Sequence, residues 1–200
     1  SDGKKWTCAG IAPWGRRFGH AVVVHNDRMY VIGGQSTLNK YYNDVWSTAD
    51  GVSWRKEPST GFPLADGSMA PNLSNTAAAS YGGRIWLVGG QSFTGVYDGY
   101  FDEPDDVTYH AQVWSSADGI TWTNETNGSD RVSKIPRSQA RLAVHDGRLW
   151  LSGGYYELIV DGVDQRTTHN DYGVYYMDTS SGLSRPAWVQ TNAPLIKVFQ

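Results

Sequence analysis

"NDRMYVIGGQ" (residues 26–35) is the stretch on which the fold turns, because the chain writes it three times. "GGRIWLVGGQ" follows at residues 82–91 and "DGRLWLSGGY" at residues 146–155. In each, an arginine, one apolar residue, an aromatic and two further residues lead into Gly-Gly. That sets Arg28/Tyr30/Gly33, Arg84/Trp86/Gly89 and Arg148/Trp150/Gly153 in a single register. A run of small or β-branched residues precedes each copy: "GHAVVVH", "NTAAASY" and "ARLAVHD". Three matches of this length define an internal repeat.

Each unit reads as four short strands. The small-residue run and the alternating run before Gly-Gly form a hairpin across Asn26-Asp27, Gly82-Gly83 or Asp146-Gly147, dipeptides suited to a tight turn. A longer loop leads to a third strand, "NDVWSTA", then an Asp-Gly turn and a fourth strand, "VSWRKE". The second unit keeps that half closely, as "DVWSTADGVSW" against "QVWSSADGITW". The third is looser, with "YGVYYMDTSSGLSRPAWVQ" stretching its turn. No stretch holds a helical period over three turns. Thirteen per cent aromatic residues and 23 glycines suit the same reading, an all-β chain with many turns.

The pattern resembles the kelch repeat, whose unit of roughly 50 residues forms one blade of a β-propeller. The double glycines carry the resemblance, with the aromatics Tyr30, Trp86 and Trp150, the late tryptophans Trp54, Trp122 and Trp188, and the opening strand "RRFGHAVVV". It implies a kelch-type propeller built of four-stranded antiparallel blades. The chain departs from the pattern in long insertions, the Gly-Gly pairs being 56 and then 64 residues apart. It departs again in the second unit, which lacks the opening Arg-x-x-Gly-His. The expected division is a last strand of a preceding blade at residues 1–13, blades at 14–58, 75–126 and 138–192, and the start of a next blade at 193–200. "DGKKWTC" (residues 2–8) supports the first of these, and the match of "APLIKVF" (193–199) to "APWGRRF" (12–18) supports the last. The expectation is therefore a partial ring, completed by blades of the same protein or of a second copy, since an open ring leaves sheet faces uncovered.

Connectivity sorts the loops onto two faces. Tight turns join first to second and third to fourth strands. The second-to-third and blade-to-blade connections are long, and long loops on a rigid scaffold are where binding usually lies. The richest runs from residue 91 to 111, with Phe93, Tyr97, Tyr100 and Phe101 among Asp105, Asp106 and other acids. Tyr41 and Tyr42 in the first unit, and Tyr155, Tyr156 and His169 in the third, lie in the equivalent loops. Aromatics among acids suit a protein or glycan partner. The bland alternative is that the rings pack the loops onto one another.

A net charge of -3, mixed along the chain, gives no basic stripe for nucleic acid, and no apolar run is long enough to span a membrane. Cys8 is the only cysteine, which rules out an internal disulfide, and it is expected as a small buried or half-exposed thiol. No catalytic constellation or ligand spacing stands out, so neither a cofactor nor a metal is expected. His110 and His169 with nearby acids are a weak metal alternative, and His20, His25 and His145 read as structural. Three sequons, at Asn72, Asn124 and Asn127, fall in or beside blade-to-blade loops and favour a secreted or cell-surface protein over a cytoplasmic one. The functional expectation is a non-catalytic interaction module that recognises protein or glycan through the long-loop face. The alternatives are part of a galactose oxidase-like copper enzyme, which the resemblance allows but which needs a cysteine crosslinked to a tyrosine near the ring axis, and an intracellular kelch adaptor.

Overall fold

The computed structural model describes residues 4–36, 40–70, 72–93, 107–126, 128, 130–159, 166–170, 173–178 and 187–191. Sixteen strands lie among them, with a single 3₁₀ turn at Val132–Lys134. The first blade is the antiparallel sheet β1 (Ala21–His25), β2 (Arg28–Ile32), β3 (Val45–Thr48) and β4 (Arg55–Glu57), in that order. The second is β5 (Ala77–Tyr81), β6 (Arg84–Val88), β9 (Val113–Ser116) and β10 (Thr123–Asn124). The third is β11 (Arg141–His145), β12 (Arg148–Ser152), β15 (Val174–Asp178) and β16 (Ala187–Gln190). The remaining four strands form two ribbons, β7–β8 (Gln91–Phe93 with Val107–Tyr109) and β13–β14 (Tyr155–Ile159 with Arg166–Asn170).

Local chemistry sets the hairpins. Asn26 and Asp27, Gly82 and Gly83, and Asp146 and Gly147 all have φ between 47° and 72°. Both central residues of each turn are left-handed, the geometry that matches the twist of a two-residue hairpin. In the third-to-fourth turns, the Asp50 carboxylate accepts the amides of Val52 and Ser53, and the Asp118 carboxylate those of Ile120 and Thr121. Because these amides are spent on the turn, the fourth strands begin later than the sequence suggests, at Arg55 and Thr123.

The first strands β1, β5 and β11 lie side by side at the convergence of the blades. Room is short there, which accounts for "AAASY" in β5: Ala78 packs toward the first blade, while Ala77 and Ala79 pack toward the third. Before each first strand one residue is left-handed: Gly19, Asn75 and Gln139, with φ of 63°, 56° and 60°. The Asn75 amide donates to the Gly19 carbonyl at 2.7 Å, and the Gln139 amide to the Asn75 carbonyl at 2.9 Å. This backbone collar needs a conformation, not a residue type, so the missing Gly-His of the second unit leaves the blade intact.

Two apolar layers hold the blades together. Tyr30, Ile32, Val45, Ile85, Leu87, Trp114 and Trp122 fill the first, and Trp86, Val88, Val113, Leu149, Leu151, Tyr175 and Trp188 the second. Each incoming connector adds a plug. Phe62, fully buried, lies with its ring centroid 6.1 Å from Trp114 and 5.3 Å from Trp122. Trp14 does the same against Trp46 and Trp54, at 5.6 and 4.6 Å. Val132 occupies the layer of Tyr175 and Trp188. Full burial of a phenylalanine contributes about 1.5–3 kcal/mol, so the Phe62 plug is a sizeable part of a domain's margin.

The repeated arginine is structural. Arg28 donates to the Ser47 hydroxyl, which donates to the buried Glu57 carboxylate. Arg84, Ser115 and Glu125 repeat the relay at 2.9 and 2.7 Å. In the third blade a tyrosine replaces the serine, and Arg148 stacks over the Tyr176 ring at 4.6 Å.

Some expectations require correction. Residues 4–12 form no strand, and Trp6 and Ile11 stand about nine-tenths exposed. Cys8 is exposed rather than buried or half-exposed, its Sγ 3.5 Å from the Gly10 carbonyl. His25 is buried and bonded to Ser80 and the Ala117 carbonyl, but His145 is exposed. The segment 193–200 lies outside the described residues. No described helix is long and apolar enough to cross a membrane.

Candidate functional site

Among the described residues, the second-to-third connections of the second and third blades start and end as paired strands. β7–β8 and β13–β14 extend from the second and third blades directly after their Gly-Gly pairs. At the base of each, the residue after Gly-Gly bridges to the residue before the collar: Gln35 to Phe18, Gln91 to Ser74 and Tyr155 to Ser138. Side chains link this step across blades. The Ser74 hydroxyl donates to Gln35 Oε1 at 2.7 Å, and the Ser138 hydroxyl to Gln91 Oε1 at 2.8 Å.

The aromatic candidates meet across blades. Tyr41 of the first blade stacks on Phe93 of the second, with centroids 5.3 Å apart and planes 12° off parallel. Burial raises the Tyr41 hydroxyl pKa against the opposing effect of its Gln91 and Gln35 hydrogen bonds. Tyr109 of the second blade meets Tyr155 of the third edge-on at 6.1 Å, and its hydroxyl donates to Glu157 at 3.3 Å. Burial, then the Glu157 charge, raises Tyr155. Strand alternation puts Tyr156 and His169 on the opposite side of their ribbon, where they stack at 4.9 Å. Tyr42 receives the Arg17 guanidinium over its ring at 4.0 Å, and Arg17 also binds Asp44 at 2.6 Å and the Gly33 carbonyl at 2.9 Å. Burial alone would raise Asp44, but the Arg17 and Trp46 hydrogen bonds outweigh it and hold the carboxyl below its ordinary range. Tyr97, Tyr100, Phe101, Asp105, Asp106 and Asn127 lie outside the described residues.

Asn72 is buried and clamps the backbone of Phe93. Its Nδ2 donates to the Phe93 carbonyl at 2.8 Å, and its Oδ1 accepts the Phe93 amide at 2.9 Å. Asn124 Nδ2 donates to the Pro63 carbonyl at 3.1 Å, and its Oδ1 accepts the Thr126 amide. Each of these sequon amides thus has one N–H engaged by a backbone carbonyl.

His110 is buried against Trp114, with Nε2 2.6 Å from the Ser92 hydroxyl, and burial lowers its pKa. Ser92 is equally buried, so this pair braces the base of the ribbon and offers no surface to a substrate. Among the described residues no three His, Cys, Asp or Glu side chains are grouped to hold a metal ion. Sequence reasoning missed Tyr109, the Asn72 clamp and the Gln–Ser steps. The glutamine after two of the three Gly-Gly pairs was the available signal for the last.

Comparison with known proteins agrees with this geometry. The kelch motif family matches residues 16–47. Alpha-scruin of Limulus polyphemus is 29% identical over 155 residues, covering 76% of this chain and 14% of its own length. Beta-scruin of the same organism is 28% identical over 138 residues, covering 68% and 13%. A leucine-zipper-like transcriptional regulator 1 homolog of Drosophila melanogaster is 26% identical over 140 residues, covering 70% and 13%. The chain thus spans about one-seventh of the length of these curated relatives. Among solved structures, one described as "Structure of YjhT" superposes with a TM-score of 0.60 at 16% identity, over 94% of this chain and 48% of that one. With the motif matched in the first blade and its glycines and aromatics repeated in register through two more, the chain is similar to the kelch-repeat proteins and has a kelch-type β-propeller fold.

Proposed function

We propose that the chain is a non-catalytic interaction module whose partner, a protein or a glycan, is recognised on the face that carries the two ribbons. The observation that supports this most is the bracing of that face from blade to blade, through Tyr41–Phe93 and Tyr109–Tyr155. Held in this way, the face is preorganised, and less conformational entropy is lost when a partner docks. The kelch motif matched at residues 16–47 points the same way, toward protein interaction. A secreted or cell-surface location is part of the proposal. Asn72 is buried, so the support from the sequons rests on half-buried Asn124 and on Asn127.

The test is comparative capture from an extract of the native source. Tyr156→Ala with His169→Ala alters an outward pair of the ribbon face, and Asp27→Lys with Asp146→Lys alters the tight-turn face. Loss of the same captured partners with the first pair and their retention with the second is the expected result. Partners lost only with the second pair would place recognition on the opposite face and refute the assignment.

A further inference from the structure

The connector from the first blade to the second encloses a recess that the blade cores do not fill. Pro58 follows β4 and has no N–H for a strand ladder, so the chain turns away there. The Gly61 amide donates to the Ser59 hydroxyl at 3.2 Å, and Gly61 is left-handed at φ 84°. Thr60 is tied to the second blade, its amide donating to the Ile120 carbonyl at 2.9 Å and its hydroxyl to the same oxygen at 3.2 Å. The connector then doubles back through a bridge between Pro63 and Met69, and the Ala70 amide donates to the Phe62 carbonyl at 2.9 Å. Between this anchored connector, the end of β4 and the corner at Asn43 and Asp44 lies a cavity of about 420 Å³.

Its lining divides into an apolar part and a donor part. Pro58, Met69 and Ala70 supply the first, and Met69 is half-exposed. Lys56, Asn43 and Ser59 supply the second. Among the described residues, neither the Lys56 ammonium nor the Asn43 amide has a hydrogen-bond or ion-pair partner. The Ser59 oxygen accepts the Gly61 amide, which leaves its own proton to donate. Asp44 and Glu57 line the same space, but their charges are taken up. Arg17 binds Asp44 at 2.6 Å, and Arg55 binds the buried Glu57 carboxylate at 2.9 Å. Lys56 is the cation left over.

We propose that this recess binds a small carboxylate with an apolar body. The carboxylate meets the Lys56 ammonium, the Asn43 amide and the Ser59 hydroxyl, and hydrogen bonds between charged groups are the strong ones. The body lies against Pro58, Met69 and Ala70, where the flexible thioether adapts to its shape. The volume is in the range of small-molecule sites. A cationic ligand would meet the Lys56 charge, and a neutral one would leave it unpaired. None of the bracing rings Tyr41, Phe93, Tyr109 and Tyr155 lines the recess, so partner recognition on the ribbon face survives or fails independently.

The test is saturation-transfer NMR on the full chain, with benzoate as the probe and benzamide as its neutral counterpart. Benzoate at millimolar concentration should receive magnetisation from the protein. Benzamide should bind about tenfold more weakly, the effect of losing one charge-assisted hydrogen bond. Lys56→Gln should weaken benzoate by the same factor of about ten. Lys56 is exposed, so the variant should keep the fold, with unchanged far-UV circular dichroism. Lys134→Gln, at an exposed lysine on the next connector, should leave benzoate binding as it is. No transfer to benzoate would overturn the proposal, as would equal binding of the two probes. Benzoate binding that ignores Lys56→Gln, or that falls equally with Lys134→Gln, would overturn it too.

Discussion

The amide of Gly34 donates to the carbonyl of Leu73, 39 residues away, and that one bond explains why the glycine before it cannot change. A Cβ on Gly33 would collide with the same carbonyl oxygen, on a backbone already left-handed at φ 61°. Gly33→Ala should therefore cost about 2–4 kcal/mol, from left-handed strain and steric overlap together. Gly82 is left-handed too (φ 57°), but it faces open space in a turn where the first blade has Asn26. Gly82→Asn should stay within about 0.5 kcal/mol of the parent, as surface changes usually do. Urea denaturation of both variants checks the contrast, and equal losses would disconnect the glycine from the junction.

The glycines and aromatics made the blades legible because their constraints do not depend on neighbours that vary. A left-handed turn and a close backbone approach admit few residue types, so they recur as letters. The plugs do not: Trp14, Phe62 and Val132 share a place but neither identity nor spacing from the strands they fill. The collar residues Gly19, Asn75 and Gln139 share a dihedral angle and nothing else. The candidate site was legible as a face, since connectivity alone sorts the loops. Its ribbons were not, because Gln91–Phe93 and Val107–Tyr109 are three residues each, separated by a long insertion that breaks any alternation. The aromatic candidates were recognised as residues, but their pairing across blades exists only in the fold.

Phe62 offers a direct measure of what a plug contributes. Phe62→Ala should destabilise the chain by about 3–5 kcal/mol, the usual range for emptying a buried phenylalanine site. Because the ring touches Trp114 and Trp122, the tryptophan emission should also shift to longer wavelength as water enters. Phe62→Leu should recover most of the loss. A change below about 1 kcal/mol for the alanine variant would mean that the connector is not part of the core.

Acid should loosen the base of the second ribbon through His110. Burial holds its pKa below the ordinary histidine value, the Gln112 hydrogen bond opposing this only in part, so the folded state prefers the neutral ring. The unfolded chain then binds the extra proton more readily than the folded one. Stability from this group is complete above pH 6.5 and is lost as pH falls from there toward the lowered value. Half-buried His20, lowered by burial and then by Arg17, works in the same direction. Melting temperatures recorded from pH 7.5 to 5 should fall with acid, and His110→Gln should flatten that slope. An unchanged slope in the variant would assign the effect to other groups.

Asn72 is the sequon that should stay bare, and the reason is mechanical. A glycan on Nδ2 would need space in a side chain only 9% exposed, and it would disturb one of the two hydrogen bonds that fix Phe93. Phe93 in turn carries the stack with Tyr41, so the clamp sets the junction between the first two blades on the ribbon face. Peptide mapping of native material should find Asn72 unmodified. Replacement by alanine would leave the Phe93 amide and carbonyl without these partners, at a cost of about 1–3 kcal/mol. The loss should be local, seen as faster amide exchange at Phe93 while β1, β2, β5 and β6 keep their protection. Global exchange at an equal rate throughout would mean that Asn72 supports the whole fold. A glycan found on Asn72 would mean that the clamp is absent from the native protein.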